Sequence, residues 1–128
     1  MGSVRVTVTS RGTDEIVGGV ERVRDQIGAS VYTMNDPRAS GTGTHHVNAN
    51  VYGTLASLWG TMRIENAQGA WEGSWDGTLW NDGRSMNVTA WLVGSGAYEG
   101  YTYYSHSRGT TSPLHSEGVI YPGPLPVR

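Results

Sequence analysis

Residues 70–93 read AWEGSWDGTLWNDGRSMNVTAWLV, and this stretch decides the fold. Trp71, Gly73, Trp75, Gly77 and Leu79 recur at every second position, and so do Met86, Val88, Ala90 and Leu92. Successive side chains of extended backbone point to opposite sides, so period 2 marks a strand with one packed face. Between the runs stands Asn81-Asp82-Gly83, whose Asp-Gly pair accepts the positive φ of a tight hairpin turn. The stretch is therefore expected to form two antiparallel strands, Ala70 to Trp80 and Ser85 to Val93.

The same pattern extends in both directions. Val4, Val6 and Val8 alternate with polar residues, and Ala29 to Met34 reads as a strand ended by Asn35-Asp36-Pro37. Gly41 to Tyr52 and Leu55 to Glu65 follow, with His45, Val47, Ala49 and Val51 sharing one face of the former. Asn66 to Gly69 reads as a hairpin loop. Tyr98 to His106 and His115 to Tyr121 are the last strands, separated by a loop from Arg108 to Pro113. Val20, Val23 and Ile27 fit either a short helix or a strand edge. Pro122-Gly123-Pro124-Leu125-Pro126 lacks ladder donors and reads as an extended tail. About eight strands at short spacing predict an all-β domain over residues 1–121 with a Pro-rich tail over 122–128. A small antiparallel β-barrel is the expected architecture, because closure removes exposed edges. A β-sandwich is the alternative.

Composition excludes several chemistries. The chain has no Cys, so thiol catalysis, disulfides and thiolate metal sites are ruled out. It has no Lys, which excludes a lysine Schiff base. With no Phe, Trp and Tyr carry the whole aromatic load, and each wants a hydrogen-bond partner when buried. The net charge is −2 with no basic stripe, so no nucleic-acid partner is expected. No apolar run approaches the length of a membrane span. Met1-Gly2-Ser3 lacks the pattern of a signal peptide, which is compatible with a cytoplasmic or a mature secreted protein.

Leu92 to Gly100 reads Leu-Val-Gly-Ser-Gly-Ala-Tyr-Glu-Gly. This resembles the Gly-Ser/Thr-Gly-x-aromatic-x-Gly corner of the allene oxide cyclase and dirigent barrels. Over roughly residues 55–121 the chain is similar to bacterial proteins of that type. The cyclase's site residues have no matching motif here, and the dirigent Asp/Arg pocket is not recognisable either, so no catalytic residue carries over. The resemblance implies a cofactor-free barrel with a mouth, often trimeric, whose relatives hold hydrophobic or phenolic ligands.

Candidate site residues follow from the faces. Glu72 and Asp76 lie two residues apart on one face of their strand, opposite Trp71 and Trp75. Turned inward, the pair would have raised pKa values and could serve as acid and base. Turned outward, both are solvated. His45 is a candidate general base if it points inward. His45 and adjacent His46 face opposite ways and cannot share a metal, and the histidines show no metal-ligand spacing, so no metal and no cofactor are expected. Asp36 and Arg38 form either a ligand-orienting pair at a barrel mouth or an exposed ion pair in a turn.

These features favour a cofactor-independent β-barrel that binds a small hydrophobic or aromatic molecule. Cyclisation or isomerisation is the chemistry such a site would support by holding a flexible substrate in a reactive shape. Tyr32, Met34, Met62, Trp71, Trp75, Met86 and Tyr98 are the expected ligand-lining residues. A homo-oligomer, trimer or dimer, is also expected. The alternative is a non-catalytic module, either stacking sugars on exposed Trp and Tyr or self-assembling.

Overall fold

The computed structural model describes residues 2–10, 12–80, 85–110 and 114–126. The Asn81-Asp82-Gly83 turn lies outside the described residues, as do Thr111 to Pro113 and the last two residues of the tail. Among the described residues nine strands carry the fold: β1 (Gly2–Ser10), β2 (Thr13–Val17), β3 (Val20–Met34), β4 (Gly41–Tyr52), β5 (Leu55–Glu65), β6 (Gly69–Trp80), β7 (Ser85–Gly96), β8 (Tyr101–Thr110) and β9 (Leu114–Pro122). All pairings are antiparallel and join one sheet in the order β1-β9-β8-β7-β6-β5-β4-β3-β2. β1 also pairs with β3, from Gly2 opposite Met34 to Ser10 opposite Ile27. Among the described residues the only helical turn is the three-residue 3-10 turn Pro37–Ala39. Among the described residues no helix is long and apolar enough to cross a membrane.

The turns follow from local chemistry. Val17 faces Val20 across Gly18 and Gly19, both at positive φ, which is the geometry of a two-residue hairpin loop. Residues 20–27 are strand and not helix. On β3, Val23 to Gln26 is matched by only the two-residue step Ala49 to Val47 on β4, so one residue is extra. That β-bulge holds Asp25 at φ 57°, a conformation Asp tolerates. The 3–4 spacing of Val20, Val23 and Ile27 marks no single face: Val23, opposite Ala49, packs on the core, whereas Ile27, opposite His46, lies on the other side of the sheet. β8 begins at Tyr101, so Tyr98 lies in the preceding turn. Pro122 ends β9 opposite Tyr101, a terminal position that needs no donor from proline.

The buried face is assembled from the alternating residues. Trp71, Trp75, Ile64, Leu58, Met62, Ala90, Leu92 and Tyr103 are all buried there. One end of this face is plugged. Trp71 is fully buried, stacks on Tyr98 at 5.0 Å and donates its indole N–H to the Arg38 carbonyl at 2.8 Å. Asn66 binds the surrounding loops together. Its Oδ1 accepts from the Tyr98 hydroxyl and from the Gln68 and Gly69 amides, and its Nδ2 donates to the Ser40 carbonyl. Ala39 is buried beside it. The tail crosses the other face of β8, where Thr102 donates to the Gly123 carbonyl at 2.7 Å.

Candidate functional site

β3 and β4 bring three polar side chains together on the buried face. Gly28 pairs with His45, and Ser30 with Gly43, so the even positions of β3 and the odd positions of β4 share that face. The Ser30 hydroxyl lies 2.5 Å and the Tyr32 hydroxyl 3.1 Å from His45 Nε2. Two hydroxyls facing one ring nitrogen are best served by Nε2 as acceptor, with the ring proton on Nδ1. Burial pushes the His45 pKa down to about 4, so the imidazole is neutral at neutral pH. Tyr32 stacks against the ring at 6.1 Å, and Trp75 meets it edge-on at 6.3 Å. Burial also drives the Tyr32 phenol well above its ordinary range.

A second polar row comes from β8 and β9. Ser105 and Ser107 both bond to the Ser116 hydroxyl, at 3.2 and 3.0 Å, and all three are buried. Tyr103 stands at the head of this row. Its hydroxyl is buried without a hydrogen-bond partner among the described residues. Burial raises its pKa; the Ser105 and Ser116 hydroxyls pull the other way, but neither completes a bond to it. The sequence carried a signal for this row in the alternation Tyr103-Ser105-Ser107, which places three hydroxyls on one face. The reading of apolar periodicity passed over it.

The apolar side of the same face is not fully packed. His45, Val47, Val51, Leu79, Met86 and Val88 belong to it by register, yet all are only half-buried. Met34 is likewise half-buried against the core, while Met62 and Trp75 are buried within it. The structure therefore groups Tyr32, His45, Met62 and Trp75. It assigns Trp71 and Tyr98 to the plug instead.

Of the two orientations open to the carboxylate pair, the structure has the outward one, which removes Glu72 and Asp76 as an enclosed acid and base. Glu72 and Asp76 are exposed, on the face opposite Trp71 and Trp75. Glu72 pairs with Arg63 at 2.9 Å. The indoles win the buried side because burying two carboxylates without cationic partners costs far more than burying two aromatic rings. Asp36 and Arg38 form an exposed ion pair at 2.6 Å, which holds the Asp36 carboxyl below its usual value. No cluster of three or more metal-ligating side chains occurs among the described residues.

A groove runs along the exposed face of β5, β6 and β7. Trp59, Gly60, Ser74, Trp75, Asp76, Thr89 and Trp91 line it, with Leu125 and Pro126 of the tail at its rim, and its volume is about 390 Å³. No family model, no curated protein and no solved structure matches the chain.

Proposed function

We propose that the sheet closes into a barrel through β1 and binds one small, mainly apolar or aromatic molecule in its interior. The pairing of β1 with both β3 and β9 supports the closure. The half-burial of inward residues at His45, Val47, Leu79, Met86 and Val88 carries the binding reading, because solvent reaches side chains that a filled core would seal. The plug of Trp71, Tyr98 and Ala39 closes one end, so the pocket is a cup and not a channel. A ligand would rest its apolar body on Val47, Leu79, Met86 and Val88. Its polar group would meet the His45 ring at Nδ1–H, since Nε2 already faces the Ser30 and Tyr32 hydroxyls. The Gly94 to Gly100 corner, similar to that of the cyclase and dirigent barrels, fits the same reading. With both carboxylates outside, the interior offers a neutral imidazole and phenols, which suit binding better than acid–base turnover.

Calorimetric titration of the chain with 1-naphthol tests this. Saturable one-to-one binding is expected, weakened about tenfold or more in Val88→Trp, which fills the cup, since a lost pocket contact is worth about 1.4 kcal/mol or more. Equal affinity in Val88→Trp, or no binding at all, overturns it.

A further inference from the structure

We infer that the groove between Trp59 and Trp91 is a saccharide site, separate from the interior cup and on the opposite face of the sheet. The register builds it. Trp59 of β5 faces Asp76 of β6, and Trp91 of β7 faces Ser74 of β6. The two indoles thus flank β6 from either side, two strand spacings or roughly 10 Å apart at the backbone. Between them β6 presents only the small polar side chains Ser74 and Asp76. The result is a trough with aromatic walls and a hydroxyl–carboxylate floor.

Both walls are braced from their far flanks. The Arg24 guanidinium sits 4.9 Å from the centroid of Trp59, anchored by bonds to the Ala49 carbonyl and Asn50 Oδ1 on β4, away from β6. Tyr104 of β8 packs 4.6 Å from Trp91, again on the side away from β6. Each indole therefore keeps the flank toward β6 for a guest. Held rings lose little freedom on binding, which favours affinity in a shallow site.

The polar groups select the guest. Asp76 has no hydrogen-bond or ion-pair partner among the described residues, although it is exposed at the floor of the groove. Its carboxylate accepts hydrogen bonds, and Ser74 and Thr89 both donate and accept. A pyranose ring offers C–H faces to the indoles and hydroxyl donors to the carboxylate, so it answers both surfaces at once. The volume of about 390 Å³ falls within the range of small-ligand sites. A proline-rich peptide is the competing occupant, since such segments dock on aromatic grooves. It would offer its carbonyl acceptors to a floor whose charged group is itself an acceptor, and it is disfavoured on that ground.

The test is calorimetric titration of the full chain with cellohexaose, maltoheptaose and N-acetylchitohexaose, and separately with decaproline. At least one oligosaccharide is expected to bind. Trp59→Ala and Trp91→Ala should each weaken it about tenfold, near 1.4 kcal/mol. Asp76→Asn removes a charge from an exposed position and leaves packing intact, so its weaker sugar binding at unchanged circular dichroism reads the floor directly. In all three variants 1-naphthol binding should stay as in the parent chain, which separates this site from the cup. Silence of all three sugars overturns the inference. So does sugar binding that persists in Asp76→Asn and in both Trp variants, or decaproline binding in place of the sugars.

Discussion

His45 is neutral in the folded chain because burial opposes its charge, and the consequence is a defined pH window. Its folded pKa of about 4 lies below the ordinary 6.5, so between the two values the unfolded chain binds more protons. The stability contributed is complete above pH 6.5 and is lost as pH falls toward 4. The slope is at most about 1.4 kcal/mol per pH unit. Thermal melts across this window should show the loss, and His45→Gln should flatten it. Tyr103 and Tyr32 make a second contrast. Tyr103→Phe removes a buried hydroxyl that has no partner among the described residues, so unfolding free energy should stay level or rise by up to about 1 kcal/mol. Tyr32→Phe removes a hydroxyl that reaches His45 and should cost about 1 kcal/mol. Urea titration separates the two. At this scale the sequence was only half legible. Period 2 shows that His45, Val47 and Ala49 share a face, and that Glu72 and Asp76 share another. It cannot say which face is buried. That is decided by neighbours on other strands, and the serine row on β8 and β9 emerges only once those strands pair.

Among the elements, the corner between β7 and β8 carries the sharpest constraints. Gly100 sits at φ 87° with open space around it, so Gly100→Ala should cost only the left-handed backbone penalty, about 1–2 kcal/mol. A Cβ at Gly94 would collide with the backbone carbonyl of Tyr98. Gly94→Ala must therefore shift the turn that holds Tyr98 against Trp71, and its cost should exceed that of Gly100→Ala. Chemical unfolding of the two variants side by side checks the order. β4 and β5 were legible residue for residue, because glycine, turn residues and clean alternation mark their ends. β3 was not, since the bulge at Asp25 switches its buried face from the odd position Val23 to the even positions from Gly28 onward, and no single period runs through it. The plug was not legible: Tyr98 stood out only as a corner aromatic and ligand-lining residue, and the hydrogen bonds of the Asn66 side chain join loops distant in sequence.

At the scale of the molecule, β1 is the piece on which the rest depends. It lies between β3 and β9, so removing residues 2–10 would leave two strands with unpaired edges. The truncated chain should aggregate at concentrations where the full chain scatters no light, and it should lose near-ultraviolet dichroism. Nothing in the local sequence announces this role, because both partners of β1 are chosen by register and not by a turn.

The two flanks of β1 are unequal. Among the described residues it meets β9 across three residue pairs, Gly2 to Val4, whereas β5 and β6 share eleven. The wall of the proposed barrel therefore has a short zipper on one side, and thermal breathing should start there. Amide protons of β9 opposite Gly2 to Val4 should exchange with deuterium sooner than those of β6. A guest in the cup would then have a side door besides the open end, and the rate at which that zipper parts would limit how quickly guests come and go.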